Sequence, residues 1–356
     1  MTDERGGPSR IEAGILRSFA AALLRAGGFT SGQAADTADL LVWANLRGAD
    51  SHGVLRIPRY VEMVRQGLIQ PEGAARFSVE RGAVAVLDAD RVPAATVMTR
   101  AVARASDLAD ASGVGWCAVR GTTHAGAIGY FAEALARNGK VGLVFTASKP
   151  LMIYHGARAE GVSTNPLAIA APVGSGILPF LLDMSTAAVA LGKIMAARDA
   201  GRPIPAGWGV DRDGAVTTDP GQVAAVLPMA GPKGSGLSLM IEVLASVLAG
   251  SPIIAAALSG GGTPGFNGTV IAVDPGAFGP ADAFLEAMER LRDAIAGLPP
   301  AIGADAVRLP GERGYATAGE RSAGGIPLVR GTVARLTALA SELGVAVPHG
   351  MDRPSG

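Results

Sequence analysis

The chain has 356 residues, 49% of them hydrophobic, enough for a large buried core and, on length alone, two or three domains. Its 31 basic and 31 acidic residues balance to zero, which leaves no electrostatic footprint for nucleic acid or for an anionic membrane surface. Cys117 is the single cysteine, so an intrachain disulfide and a thiolate zinc site are excluded.

Ser9 and Glu12 form a Ser-x-x-Glu capping pattern and are expected to open a helix ending at Gly27 and Gly28. The first ten residues, Met1 to Arg10, are polar and lack the apolar core of a secretion signal, so a cytoplasmic location is expected. A second helix is predicted from Ser31 to about Leu46, and a third from about Val54 to Gln66. Pro58 is comfortable only in a first turn, which leaves Ser51 and His52 on the preceding loop. Val84 to Leu87 reads as a short strand and Ala94 to Ala111 as a long helix closed by Gly113.

The middle of the chain mixes apolar, β-prone runs with helices. Val114 to Val119, Val141 to Thr146, Ile177 to Met184 and Thr269 to Val273 are such runs. Helices are predicted over Ala127–Arg137, Ala187–Asp199, Ser235–Ala249, Ala281–Ala296 and Thr332–Leu343. Residues 201–221 are turn-rich. Leu237 to Leu258 is the most membrane-like stretch, but Glu242, Gly250 and Pro252 break it, so a buried helix is expected.

Four stretches carry candidate chemistry. In "DSHGVLRIPRY", His52, Arg56 and Tyr60 recur every four residues and fall along one helical stripe. A histidine can exchange a proton near neutral pH, and an arginine presents a fork of donors matched to a carboxylate. The plain alternative is a solvated helix with one satisfied histidine. In "GTTHAGAIGYFAEAL", His124 sits between a strand end and a helix start, with Gly126 and Gly129 allowing close approach to the backbone. A histidine in a turn is the competing reading. Asp183 ends an apolar run, and Ser185 or Thr186 can cap the helix that follows. Lys233 lies among Gly231, Gly234 and Gly236 before a helix, an arrangement that suits an anion or is simply a tight helix entry. His155 and His349 have weaker cases. No metal-binding spacing occurs. The nominal G-x-G-x-x-G of Gly260, Gly262 and Gly265 follows a helix and contains Pro264, so it is not a dinucleotide fingerprint.

Taken together, the chain resembles the second type of malate/L-lactate dehydrogenase family, which is unrelated to the Rossmann enzymes of similar name. The resemblance rests on "DSHGVLRIPRY", "THAGAIGY", "STNPLAIAAP", "LDMSTAAVALGKI", "GRPIPAGWGVDRDG", "TTDP", "PKGSGLSLMIEVLASVLAG" and "LPGE" at Leu309 to Glu312, in order along nearly the whole chain. It implies an α/β, non-Rossmann NAD(P)-binding fold with a largely antiparallel mixed sheet and helical N- and C-terminal parts. It also implies a cytoplasmic homodimer that moves a hydride between NADH or NADPH and a small carboxylate-bearing substrate, without nucleic acid or membrane partners. Family members act on 2-oxo or 2-hydroxy acids, including ureidoglycolate, sulfolactate and diketogulonate, and some reduce cyclic imino acids. Two readings stand beside the dehydrogenase: an NADPH-dependent reductase of a cyclic ketimine, and a non-catalytic binding protein.

By position in those motifs, His52 matches the acid/base histidine with Ser51 beside it. Arg56 matches the carboxylate ligand, with Tyr60 nearby. His124 matches the second site histidine, to which some members assign the acid/base role. Asp183, Met184, Ser185, Lys233, Pro310, Gly311 and Glu312 match cofactor contacts, with Asp183 also among the catalytic positions, and Ser163, Thr164 and Asn165 are expected in the same cleft. The expected division is a helical, substrate-bearing part from 1–75 and 300–356, a linking and dimer segment from 76–120, and a cofactor-binding part from 121–299. One departure concerns the residue after the second histidine, commonly aromatic in the family and here Ala125. The missing ring leaves room for a bulkier or cyclic substrate, as a hypothesis.

Overall fold

The computed structural model describes residues 9–199, 201–261 and 265–351. It begins with β1 (Ser9–Ile11), α1 (Ala13–Ala26), α2 (Ser31–Leu46) and two 3₁₀ turns, Asp50–His52 and Val54–Arg56. Next come α3 (Ile57–Arg65), β2 (Arg76–Arg81), β3 (Val84–Asp88), α4 (Ala94–Ser112), β4 (Val114–Thr122), α5 (Gly129–Arg137) and β5 (Val141–Ser148). Then follow β6 (Met152–Ile153), β7 (Glu160–Val162), β8 (Leu167–Ala171), β9 (Phe180–Met184), α6 (Leu191–Asp199), β10 (Gly209–Val210), β11 (Val216–Thr217) and β12 (Ala225–Val226). The chain continues through α7 (Pro232–Glu242), a π-helical turn (Val243–Val247), α8 (Ile254–Leu258), β13 (Phe266–Val273) and α9 (Ala281–Ala296). It closes with α10 (Glu312–Gly324), β14 (Ile326–Leu328) and α11 (Arg330–Leu343).

The central sheet has seven strands in the order β2-β3-β4-β13-β5-β8-β9. Only β3 and β4 run parallel; every other neighbour is antiparallel. The fold is therefore α/β with a largely antiparallel mixed sheet, as the resemblance implies. Both faces are covered, which is why β5 and β13 read as continuous apolar runs rather than alternating ones. On one face, Val97, Met98 and Ala101 of α4 and Phe131 and Leu135 of α5 close the largest core. On the other, Ile241 of α7 and Ala245 of the π turn pack on Phe145, Leu167 and Ile271. Residues 76–120 supply β2, β3, β4 and α4 to this layer. A smaller five-stranded sheet, β11-β10-β12-β6-β7, lies beside it with its own core.

The helical layer draws on both ends of the chain. Leu16, Phe19, Ala20, Leu23 and Leu24 form the buried stripe of α1 and meet Leu336 and Leu339 of α11, Val54, Ile57 and Tyr60. The strands β1 and β14 pair in this layer, Ser9 opposite Leu328. Ser9 is thus a strand residue, not a cap. Glu12 alone caps α1, its carboxylate accepting from the Gly14 and Ile15 amides at 2.7 and 2.9 Å. The cap on α2 is Thr30, paired reciprocally with Gln33. Helix α6 starts at Leu191, later than expected, and Ser185 only receives the Ala187 amide at 3.1 Å. The glycine run at 260–262 sits between α8 and β13, helix before strand; Gly262 and Pro264 lie outside the described residues. The apolar stretch from Leu237 to Leu258 divides into α7, the π turn and α8, and among the described residues no helix is long and apolar enough to cross a membrane.

Candidate active site

The Ser-His-Gly turn is held from two sides. Gly53 separates the two 3₁₀ turns, and a Cβ there would lie 2.2 Å from Asn45 Oδ1. That oxygen accepts the Val54 amide at 2.8 Å, while Asn45 Nδ2 donates to Asp50 at 2.6 Å. From α10, the Arg321 guanidinium donates to both Asp50 oxygens at 2.7 and 3.0 Å. Asn45 of α2 and Arg321 of α10 therefore fix where His52 points. Neither position stands out in the sequence, because each acts through a neighbour rather than through a motif.

The structure brings His52, Arg56, Tyr60 and His124 together. The two histidine rings stack at 5.7 Å between centroids and 20° between planes. Ser51 Oγ lies 2.9 Å from His52 Nδ1, and Tyr60 Oη lies 2.7 Å from His124 Nδ1. Phe266, at the start of β13, closes the stack edge-on against His124 at 5.8 Å. Arg56 donates through Nε to the Ser51 carbonyl at 2.7 Å. It is half-buried and has no acidic partner among the described residues. Burial, then the Arg56 charge, pushes His52 down to about 4, and the same causes with His52 added push His124 down to about 3. Burial lifts the Tyr60 phenol to about 12. Two imidazolium charges at this spacing would repel by roughly 3 kcal/mol at an effective dielectric of 20. At most one ring is therefore an imidazolium, and an anion against Arg56 would ease the second proton onto that ring.

The opposite wall gathers the remaining expected residues. Asp183 ends β9, and its Oδ2 accepts the Gly129 amide at 3.0 Å. Solvent reaches it, yet crowding by the protein pushes its carboxyl up to about 6, opposed by the Gly129 amide and the Arg47 charge. Pro310 and Gly311 lie against the same strand: the Leu181 amide donates to the Pro310 carbonyl at 3.1 Å, and Gly311 adopts φ of 94°. Met184 and Ser185 follow Asp183 directly, and Glu312 accepts the Leu309 amide to close the Leu309–Glu312 turn. Lys233 lies in the first turn of α7, exposed and without an ion pair among the described residues. The amides around it are already committed, since Gly231, Lys233 and Gly234 donate to Pro228, Ala230 and Met229. The anion-facing group of that turn is thus the lysine side chain rather than the backbone. These groups suit a nucleotide cofactor in two ways: the Lys233 cation matches a phosphate, and the Asp183 oxygen left unbonded matches a hydroxyl donor.

Ser163 and Asn165 are placed differently from Thr164. Ser163 and Asn165 are fully buried, and their polar groups are spent within the protein. Asn165 accepts the Ser148 amide and donates to the Ser238 carbonyl; Ser238 Oγ returns to the Ser163 carbonyl. They strap α7 to β5. Thr164 between them is half-exposed. His155 is exposed beside Gly231, and His349 is exposed in the C-terminal turn. Ala125 is 5% exposed and packs in the central core with Leu40 and Ile128.

A buried cluster that the sequence did not signal joins the two walls. The Arg47 guanidinium stacks 3.9 Å from the Tyr315 ring centroid and 5.1 Å from that of Trp43. It donates to the Gly311 carbonyl at 3.3 Å and lies 3.7 Å from Glu133. Glu133, 3% exposed on α5, also accepts from Trp43 Nε1 and Arg137. This cluster ties α2, α5 and the Leu309–Glu312 turn into one unit.

Known proteins resemble this chain over most of their length. The chain is 32% identical to malate dehydrogenase of Pyrococcus horikoshii over 349 residues, 94% of this chain and 96% of that one. It is 36% identical to (2R)-3-sulfolactate dehydrogenase (NADP(+)) of Chromohalobacter salexigens over 310 residues, 85% and 90% of the two chains. It is 34% identical to a Delta(1)-pyrroline-2-carboxylate/Delta(1)-piperideine-2-carboxylate reductase of Pseudomonas syringae pv. tomato over 321 residues, 87% and 91%. The solved structure of the Pyrococcus horikoshii OT3 malate dehydrogenase superposes with a TM-score of 0.87 at 30% identity, covering 98% and 99%. The family model described as malate/L-lactate dehydrogenase matches residues 11–337. With a non-Rossmann sheet, a paired-histidine site and this match, the chain belongs to the malate/L-lactate dehydrogenase family.

Proposed function

We propose that the protein transfers a hydride between NADH or NADPH and C2 of a small 2-oxo or 2-hydroxy acid. The observation that carries this reading is Arg56: a half-buried guanidinium, oriented by the Ser51 carbonyl and lacking a counter-ion among the described residues, beside two stacked histidines. A carboxylate on that fork places the adjacent C2 atom near the rings. The nicotinamide, when bound, supplies the hydride. Lys233, Asp183, Met184, Ser185, Thr164 and the Pro310–Gly311–Glu312 turn are the residues proposed to hold the cofactor, with Ser163 and Asn165 acting from behind. Arg56 and the histidines orient the acid and handle the proton.

Incubating the protein with a panel of 2-oxo acids and NADH or NADPH, followed by nicotinamide absorbance, tests the reading. Turnover of at least one acid is expected. If no acid is turned over and neither nucleotide changes the protein fluorescence, the non-catalytic binding protein takes its place.

The second reading, a cyclic ketimine reductase, is favoured by the likeness to the pyrroline and piperideine carboxylate reductase. The room expected from the small Ala125 does not support it, because that residue packs in the central core; a substrate panel in which cyclic imines are not reduced removes this reading. We further propose a cytoplasmic homodimer. Helix α9 supports a self-contact, because it is amphipathic yet none of its residues is buried, and Leu291, Leu298 and Phe278 are exposed nearby. The division into a helical part at 1–75 and 300–356, a segment at 76–120 and a cofactor part at 121–299 is kept as a proposal. The position of the site between the helical layer and the central sheet supports it.

A further inference from the structure

One ring nitrogen receives two donors. His124 Nδ1 lies 2.7 Å from the Tyr60 hydroxyl and 3.3 Å from the Gly126 amide. A backbone N–H only donates, so Nδ1 is an acceptor there. Tyr60 is buried, and its phenol stays protonated, so its O–H donates to the same atom. The one proton of a neutral imidazole then sits on Nε2. His52 is held differently. Its Nδ1 meets only the Ser51 hydroxyl at 2.9 Å, which can donate to a bare nitrogen or accept from a protonated one. His52 therefore accommodates both charge states, whereas a proton on His124 Nδ1 would face the Gly126 N–H.

The surroundings agree. Among the described residues, the charged or titratable groups against this pair are Arg56 from the second 3₁₀ turn, Tyr60 from α3 and the other histidine; β13 contributes the uncharged Phe266. A void of about 10 Å³ lies behind Tyr60 and His124, among Phe29, Leu40 and Ile69. It holds at most one water, so no substrate reaches the pair from that side.

We propose that Tyr60 and the Gly126 amide hold His124 as its Nε2–H tautomer, a neutral hydrogen-bond donor to the substrate's C2 oxygen, so that the site selects 2-oxo acids over protonated cyclic imines. This rests on the hydride-transfer reading above. Tyr60 is then a positioning residue for His124, not a substrate ligand. In the reduction, a C–H bond forms at C2 with the electron pair of the hydride, and the carbonyl π bond breaks onto oxygen. His124 Nε2–H meets the charge growing there. The O–H bond forms with a proton released by His52, which ends as a neutral ring. A protonated imine presents an N–H where the oxygen would be. Two donors then face each other without an acceptor, which costs the desolvation of both.

The test combines a spectrum with kinetics. In ligand-free protein labelled with ¹⁵N-histidine, with the His124 signals assigned through His124→Asn, Nδ1 is expected to be unprotonated and Nε2 protonated. In Tyr60→Phe, a mixture of tautomers is expected. The same variant is expected to lose about tenfold or more in kcat on a 2-oxo acid while KM changes less, and its preference for oxo over imine substrates narrows. A wild-type His124 protonated on Nδ1 overturns the proposal, as does a Tyr60→Phe variant in which KM rises at constant kcat. If no substrate is turned over, the hydride-transfer reading fails by itself, and the wild-type spectrum still decides the tautomer.

Discussion

The two walls of the cleft are built on different principles. On the substrate side, His52, Arg56, Tyr60 and His124 are held by hydrogen bonds from Ser51, Gly126, Asn45 and Arg321, the last two acting through the turn that carries His52. Those partners come from α2, α10 and the loop after β4, so orientation there depends on the whole helical layer. The proposed nucleotide side relies on one lysine without an ion pair among the described residues, a carboxylate held by a single amide, and glycine turns packed against β9. Atoms that react must be positioned closely. A group that is bound and released is served by charge and backbone shape.

Four measurements break or sharpen that contrast. The largest effect belongs to His52→Asn, which should lower turnover by about 10²-fold or more with cofactor binding unchanged. Normal turnover would remove His52 from the chemistry and with it the substrate-side wall as drawn. Next is the hinge between the walls. Arg47→Ala leaves Glu133 with Arg137 as its only cationic partner and removes the stacked cation from between two rings, and should cost about 3 kcal/mol in urea unfolding. A loss within error would mean the cluster is filler. Lys233→Ala should weaken NADPH or NADH binding by about tenfold, or 1.4 kcal/mol, and leave substrate KM unchanged. Unaltered nucleotide affinity would move the phosphate site elsewhere.

The fourth measurement is of pH. His52 and His124 titrate near 4 and 3 when folded against an ordinary 6.5, so the unfolded chain binds more protons between those limits, and stability should fall as pH drops from 6.5 towards 4. Asp183, raised from 3.8 to about 6, binds its proton in the folded state over much of the same window and opposes that loss. Thermal melts across this range should therefore steepen in Asp183→Asn and flatten in His52→Asn. A Tm independent of pH in Asp183→Asn, where the opposing carboxyl is gone, would contradict the burial of both rings.

Much of the fold is legible in the residues. The helices α2, α4 and α9 match their apolar periodicity and end signals, and Gly113, expected to close α4, does so in the left-handed conformation. The strands of two or three residues were not legible, because a pairing that short leaves no alternation to read. Helix α10 was missed for a related reason: Gly314, Gly319 and Gly324 dilute its pattern and none of its residues is buried. In the candidate site, motif spacing singled out His52, Arg56, Tyr60 and His124, which the fold brings together. It could not find Asn45, Arg47, Glu133 and Arg321, whose roles come from contacts far apart in the chain. It also could not separate Ser163 and Asn165, buried as a strap, from Thr164 beside them.

The pairing of β1 with β14 has a kinetic consequence. Arg10 bonds to the Gly325 carbonyl 315 residues away, and the α1 stripe is completed by α11. Such a closure is slow, because chain entropy is lost before the contact rewards it. During synthesis the central sheet can assemble from earlier segments, but the layer that aims His52 waits for the last helix to emerge. Recovery of activity on refolding should therefore lag recovery of sheet signal, and catalytic competence is a late event in the life of the polypeptide.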